Sequence, residues 1–279
     1  MKVIPIASDS LGIRSMATYI ETKDCKIIID PSAAIGPKRY GLPPHKKELD
    51  ELDRTKKKIS EIAKKCDIII ISHYHYDHYD PGEKFYRGKK VYAKNIYDNI
   101  NKSQKQRGEE FKKNVEKDCE LIYCDNSKHK IGDTKIIFSP SFFHGPEKVR
   151  LGYVIMTTVD DKDKRILHSS DVQGPVTRLA KDYIINQKPD ILIIDGPPIN
   201  MLGFRFSRKN LQLASDNLVE ILKKLKCTVI LDHHLLRDLR YKEIFSEPYK
   251  IGGKKVKTFA EYLDKENNTL EANRKKLWS

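Results

Sequence analysis

Hydrophobic positions come in short dense runs separated by charged stretches, and the period within each run sets the element it predicts. "KVIPIA", "SMATYIE" and "CKIIID" read as three strands within the first 30 residues. A Pro- and Gly-studded loop, "PSAAIGPKRYGLPPH", follows and is long for a plain connection. "HKKELDELDRTKKKISEIAKKC" then carries Leu49, Leu52, Ile59 and Ile62 at roughly helical spacing, with its Lys residues largely on the other side. "DIIIIS" is a continuous β-branched run, the pattern of a strand buried on both faces. "KKVYAK" predicts another strand and residues 103–117 a polar helix. Three more strands are predicted at "TKIIFS", "YVIMTTV" and "KRILHSS", the last two joined by the charged turn "DDKDK". A helix after Pro175 leads to the strand "DILIID" and the loop "GPPINMLGFRF". Ser207 suits the N-cap of the helix "RKNLQLASDNLVEILKKLK", and "CTVILD" is the last strand. Two helices are expected to close the chain, the final one from about Thr258 with Phe259, Tyr262, Leu263, Leu270 and Leu277 as its stripe.

Strands outnumber helices early, and helices fall between the later strands. Two sheets packed face to face with helices outside both satisfy this order, in the α/β (α+β) class. A doubly wound sheet would need more regular βαβ alternation and a Gly-rich first turn, which the chain lacks. No repeat or flexible linker interrupts the 279 residues, so one domain spanning 1–279 is the expectation.

Lys and Arg number 53 against 39 Asp and Glu, a formal charge of +14, with 40 of the basic residues Lys and only 13 Arg. A Lys- and Ile-rich composition is also what a heat-adapted proteome produces. The charge is therefore read mainly as a solvated surface that favours anionic substrates. No apolar run approaches the roughly 18 residues of a membrane span. "MKVIPIASDS" lacks the apolar core and cleavage site of a signal peptide, so a soluble cytoplasmic protein without a membrane partner is expected. Cys25, Cys66, Cys119, Cys124 and Cys227 form no CxxC pair and read as small hydrophobes in a reducing cell.

The chemistry is concentrated in His73-Tyr74-His75-Tyr76-Asp77-His78, directly after the buried strand "DIIIIS". In an extended or tightly turning segment His73 and His75 project to one side and can share a metal ion. Asp77 and His78 lie past the turn and can reach a second ion a few Å away. Imidazoles with one carboxylate form a borderline ligand set suited to Zn(II), with Fe(II) or Mn(II) as alternatives.

"SHYHYDH" resembles the signature of the metallo-β-lactamase-fold hydrolase superfamily, and later signals follow the same order along nearly the whole chain. Asp30 in "IIIDPS", His144 in "SFFHGP", Asp171 in "LHSSDVQG" and the pair His233-His234 in "VILDHH" match its remaining positions. Within that superfamily the chain is similar to archaeal proteins predicted to be metal-dependent hydrolases, on "DSLGIRSMATYIET", "SHYHYDHYDP" and "DHHLLRD". The resemblance implies a four-layer αββα sandwich of two mixed sheets, with two divalent metal ions at one edge. It implies that His73, His75 and His144 hold one ion, that Asp77, His78 and the late His hold the other, and that Asp171 bridges them. Asp30 would orient a ligand imidazole. His233 is preferred as the late ligand, with His234 expected to point the other way and to touch substrate. His168 is read as structural, and His45 and His129 as surface residues. Flavodiiron-type relatives carry Glu at the second His of the motif; His75 stands there in this chain, which favours hydrolysis.

The implied mechanism is attack by a metal-bridging hydroxide on a carbonyl or phosphoryl group, with Asp77 and His78 as the catalytic pair of the motif. Three X-Gly-Pro turns, at 144–146, 173–175 and 195–197, are expected at the rim. Lys38, Arg39, Tyr40, Arg205 and Arg208, brought by loops 31–46 and 196–207, are candidate substrate contacts. A small anionic ester, lactone or phosphodiester is the first expectation for the substrate. A nuclease acting on RNA or DNA is the alternative, supported by the net charge and the basic segments 54–65 and 102–113.

Overall fold

In the computed structural model, which describes residues 1–279, the runs of branched residues become strands buried on two faces. Strands β1 (Lys2–Pro5), β2 (Thr18–Glu21) and β3 (Lys26–Ile29) precede helix α1 (Lys46–Ala63). Strands β4 (Ile68–Ile71) and β5 (Lys90–Ala93), helix α2 (Lys102–Val115) and strand β6 (Glu120–Tyr123) complete the first half. The second half opens with β7 (Lys128–Ile131), β8 (Thr134–Phe138), β9 (Phe142–Phe143), β10 (Tyr153–Val154), β11 (Thr157–Asp160) and β12 (Arg165–His168). It continues with α3 (Arg178–Gln187), β13 (Ile191–Asp195), α4 (Arg208–Lys224) and β14 (Thr228–Asp232). Short elements end the chain: α5 (Tyr241–Ile244), α6 (Ser246–Gly252), β15 (Val256–Lys257), α7 (Phe259–Tyr262) and α8 (Arg274–Trp278).

One sheet has the order β1-β2-β3-β4-β5-β6, and the other β15-β14-β13-β12-β11-β8-β7. Both are mixed: β3 to β6 run parallel, as do β12 to β15, while the remaining neighbours are antiparallel. Side-chain parity then divides each Ile run between two cores. Ile27, Ile29, Ile68 and Ile70 meet Ile136, Ile166, Ile193 and Ile230 between the sheets. Ile28, Ile69 and Ile71 turn outward onto Ile59 and Ala63 of α1 and Phe111 and Val115 of α2. Leu192, Ile194, Val229 and Leu231 do the same against α3 and α4. Each fully buried Ile contributes about 2 kcal/mol. The result is the expected αββα sandwich, and none of its helices is long and apolar enough to cross a membrane.

Three local readings change. Strands β6 and β7 were not expected; in edge strand β7, Lys128 and Lys130 alternate onto the exposed face, while His129 and Ile131 turn inward. The run "YVIMTTV" splits, its first two residues pairing with β9 and the rest joining the larger sheet. The long final helix is absent: α7 ends after one turn because Asp264 takes a left-handed φ of 55°. The following segment instead crosses to the N-terminal part of the chain, where the Asn268 amide donates to the Ser10 carbonyl at 2.8 Å.

Two ion pairs fasten that crossing. Arg274 is fully buried and donates twice to Glu48 (2.7 and 2.8 Å), and Arg14 Nη2 donates to Glu271 Oε1 at 2.6 Å. Burial alone would raise the Glu271 carboxyl, but the hydrogen bond and charge of Arg14, backed by Arg237 and Arg274, hold it at about 2. The pair therefore stabilises the fold fully above the ordinary Glu value, and that contribution is lost as pH falls toward 2. Denaturant melts of Glu271→Gln between pH 5 and pH 2 should show a shallower loss of stability with acid than the unsubstituted chain; equal slopes would contradict this.

Candidate metal centre

Every predicted ligand lies beyond the C-terminal end of a strand or on a loop beside one. His73, His75, Asp77 and His78 follow β4, Asp171 follows β12, and His233 and His234 follow β14. Because β3 and β4 run parallel, as do β12, β13 and β14, these ends gather at one edge of the sandwich. His144 arrives from the segment between β9 and β10, where its amide donates to the Gly152 carbonyl at 3.0 Å.

The side chains converge. Donor atoms of His73, His75, His144 and Asp171 lie within 4.8 Å of one another, as do those of Asp77, His78 and His233, and of Asp171, His233 and His234. Asp171 is at the centre: its Oδ2 is 3.0 Å from His144 Nε2 and 3.2 Å from His78 Nε2, and its Oδ1 is 3.6 Å from His233 Nε2. His73 Nε2, His78 Nε2, both ring nitrogens of His144 and Asp171 Oδ1 are buried without a hydrogen-bond partner. Orphaned polar atoms of this kind would each cost about 1–3 kcal/mol, a cost that bound cations would remove for those turned into the cluster. The donor set of imidazoles and carboxylates fits divalent metal ions.

The ligand tautomers are set from behind. His78 Nδ1 donates to Asp30 Oδ2 at 2.8 Å. Asp30 also accepts from the Ser72 amide (2.8 Å) and hydroxyl (2.6 Å), which ties β3 to the start of the motif. His73 Nδ1 faces the hydroxyls of Ser72 and Ser170 at 3.1 and 3.2 Å. His233 Nδ1 donates to Asp9 and His234 Nδ1 to Asp195, both at 2.8 Å. With Nδ1 engaged in this way, Nε2 is the ring nitrogen turned toward the cluster. Asp30, Ser170, Gln173 and His233 all hold left-handed backbone angles, each costing on the order of 1 kcal/mol, which the surrounding hydrogen bonds sustain.

The electrostatics favour neutral imidazoles in one half and positive charge in the other. Burial, with His144 beside it, pushes His75 down to about 3, and burial with His78 and His75 lowers His73 far below its ordinary value. Burial opposes charge on His233 most strongly, yet the Asp171 and Asp9 carboxylates together outweigh it and lift the ring to about 9. Asp77, which burial alone would raise, is held low by His78, His233 and Arg237 and stays an anion.

One orientation differs from expectation. His234 does not point away: its Nε2 is 3.7 Å from Asp171 Oδ2, and its ring lies 4.3 Å from that of His233. Strand alternation ends at Asp232, because His233 has φ of 56° and opens a 3-10 turn over His233–Arg237. In such a turn successive side chains are about 120° apart rather than opposed. His168 is structural, with Nε2 at 3.0 Å from the Met16 carbonyl. His45 and His129 are more engaged than surface residues would be: His45 caps α1, and His129 packs on Tyr92 and Phe138.

The three X-Gly-Pro turns touch one another. A Cβ on Gly145 would collide with the Gln173 side chain, and one on Gly174 would lie 3.1 Å from Pro197 Cδ. Of the candidate substrate contacts, Arg39 donates to the Arg237 carbonyl (2.6 Å) and Tyr40 to that of Ala272 (3.2 Å). Lys38, Arg205 and Arg208 are exposed and form no hydrogen bond or ion pair with the cluster. Sequence reasoning missed Asp9, Asp195 and Arg237. Asp195 ends "DILIID" much as Asp30 ends "CKIIID", a parallel that would have flagged it; Asp9 and Arg237 carry no such local sign.

Residues 12–79 match the Metallo-beta-lactamase superfamily. Among solved structures, an isothiocyanate hydrolase from Delia radicum gut bacteria superposes with a TM-score of 0.58 at 16% identity, covering 92% of this chain and 95% of that one. The metallo-β-lactamase fold protein YhfI of Bacillus subtilis gives 0.56 at 16% identity, over 90% and 92% of the two chains. These likenesses establish the fold. Among curated sequences, a UPF0282 protein of Methanocaldococcus jannaschii is 42% identical over 99% of this chain and 96% of its own length. One from Thermococcus gammatolerans is 43% identical over 99% and 95%, and one from Korarchaeum cryptofilum 42% identical over 100% and 94%. Identity at this level along the whole chain makes this chain a member of the UPF0282 family, and its fold is that of the metallo-β-lactamase proteins it superposes on.

Proposed function

We propose that the chain is a hydrolase dependent on two divalent metal ions, Zn(II) first among them, acting on a small anionic ester, lactone or phosphodiester. The observation that carries this reading is the set of buried, unpartnered Nε2 atoms of His73, His78 and His144 gathered around Asp171 Oδ2, at 3.7, 3.2 and 3.0 Å. His73, His75, His144 and Asp171 would hold one ion, and Asp77, His78, His233 and the shared Asp171 the other. Bound there, the ions would supply Lewis acidity and lower the pKa of a coordinated water into the neutral range. Asp77 and His75 are only partly buried, so they lie at the open side of the cluster. Asp77 is an anion suited to accept a hydrogen bond from the attacking water and orient it. His234, fixed by Asp195 on its far side, presents Nε2 where a substrate oxygen would enter.

The basic segments give little support to a nucleic-acid partner. On α2, Lys105 pairs with Glu109 and Lys112 with Glu116; on α1, Lys46 pairs with Asp50, Arg54 with Glu51, and Lys56 with Asp80 of the following loop. These pairs weaken the phosphate footprint of the two segments, although Lys57, Lys64, Lys65, Lys102 and Lys113 keep free charges there. The test is metal analysis of purified protein together with a panel of phosphodiesters, lactones, esters and thioesters run beside labelled RNA. About two metal equivalents and turnover of a small anion are expected. A folded protein that takes up no metal would sink the reading, and RNA cleavage with binding that collapses as salt rises would replace it with the nuclease.

A further inference from the structure

Loop 31–46, which follows β3, holds cations that the proposed chemistry leaves unused. Near its start the Ser32 hydroxyl donates to the Tyr76 carbonyl at 2.7 Å, which fixes the loop against the motif turn. Further on, Arg39 Nη2 donates to the Arg237 carbonyl at 2.6 Å. The side chain of that same Arg237 reaches the cluster, with Nη2 3.7 Å from Asp77 Oδ2. The loop therefore borders the cluster on its open side, where Asp77 is only partly buried.

Arg39 does not stand alone there. Its Cζ lies 4.4 Å from the centre of the Tyr40 ring, and Lys275 Nζ, arriving from α8, lies 5.0 Å from the same centre. Tyr40 is itself fixed: its hydroxyl donates to the Ala272 carbonyl at 3.2 Å and accepts from Arg39 Nη2 at 3.3 Å. Trp278 Nε1 donates to the Pro43 carbonyl at 3.1 Å, and the neighbouring Arg274 to Glu48, so α8 is tied down on loop 31–46 and Lys275 is brought to the ring. Only Nη2 of the Arg39 guanidinium is bonded, and neither Arg39 nor Lys275 is paired with a carboxylate. Asp238 feels the charge of Arg39 but pairs with Arg240, at 3.2 Å from its Nη2. Two cations are thus gathered on one ring without a counter-charge, an arrangement that an anion would stabilise.

We infer that Arg39 and Lys275, mounted on Tyr40, form a subsite for a terminal phosphate beside the metal centre, so that the substrate carries a phosphate monoester in addition to the bond that is cleaved. The inference deepens the hydrolase reading proposed above and rests on it. A phosphate monoester suits the pair better than a carboxylate, because it brings about two negative charges at neutral pH and three acceptor oxygens. Two of these oxygens fit the planar fork of Arg39, and the ammonium of Lys275 takes the third as a point charge.

The test has two arms. In the first, inorganic phosphate is titrated calorimetrically into the metal-free full chain, beside Lys275→Gln, Arg39→Lys and, as a control for net charge, Lys276→Gln, with circular dichroism checking each fold. Lys275→Gln should weaken phosphate about tenfold and Arg39→Lys, which keeps the charge but loses the fork, about fivefold, while Lys276→Gln stays within about twofold. Phosphate bound equally by Lys275→Gln and Lys276→Gln would overturn the subsite, and so would acetate bound as tightly as phosphate. The second arm uses the Zn(II)-loaded chain and the p-nitrophenyl ester of thymidine 5′-phosphate, with and without a 3′-phosphate. The 3′-phosphate should lower KM about tenfold, an advantage that Lys275→Gln abolishes and Lys276→Gln keeps. Equal KM for the two esters would remove the subsite from substrate recognition and leave the hydrolase reading intact. A chain that hydrolyses neither ester would count against the hydrolase reading instead, and the titration would still decide the subsite.

Discussion

Asparagine in place of Asp171 is expected to bring bound metal from about two equivalents to one or fewer and to lower turnover by about a thousandfold. Asp171 is the one side chain within reach of both halves of the cluster, with His144 and His78 at 3.0 and 3.2 Å from one oxygen and His233 at 3.6 Å from the other. A neutral amide keeps the volume but halves the acceptor capacity and removes the central negative charge. Losing about 4 kcal/mol of shared ion and transition-state stabilisation corresponds to that thousandfold. The fold should survive, because Asp171 makes no backbone hydrogen bond through its carboxylate. Metal analysis beside a thermal melt of the metal-free protein checks both halves of the statement; a full complement of two ions in the variant would remove Asp171 from the bridging role.

The second large effect concerns a residue that would touch no metal. Alanine in place of Asp30 removes the acceptor for the Ser72 amide, the Ser72 hydroxyl and His78 Nδ1 in a fully buried place. At about 1–3 kcal/mol for each abandoned donor, a loss of roughly 3–5 kcal/mol is expected, a large part of the stability of any domain. Zn(II) affinity should fall about 10–100-fold as the His78 ring loses its orientation. The substitution Asp30→Asn should be milder on both counts, since an amide oxygen still accepts and asparagine tolerates the φ of 50° found there. Urea denaturation and a Zn(II) titration of the two variants separate the effects. An alanine variant as stable as the original would show that water replaces the carboxylate.

Much of this was legible in the order of residues. "DIIIIS" and "DILIID" announce strands covered on both faces, because a β-branched run without polar alternation has no side left for water. The spacing from His73 to His78 is equally informative, since a strand end followed by a tight turn can aim several donors at one place. Edge strand β7 was illegible for the opposite reason: with one side in solvent, Lys128 and Lys130 disguise its period. The final helix was misread because Leu270 and Leu277 continue an apolar spacing across a segment that Asp264 has already broken.

The sequence by itself therefore determined the two-sheet class, the position of the His/Asp motif and most members of the cluster, since these follow from local periodicity and side-chain chemistry. Tertiary structure alone decided how the donors are held. Asp9 lies 224 residues from His233 along the chain and 228 from Arg237, yet it fixes the ring of one and the guanidinium of the other. It likewise decided that His234 faces the cluster, through a backbone angle at His233 that no local pattern marks. The physical reason is the same in each case. A hydrogen bond to a buried imidazole depends on which strand ends the two sheets bring together, and that is settled by packing across the whole chain rather than by any stretch of it.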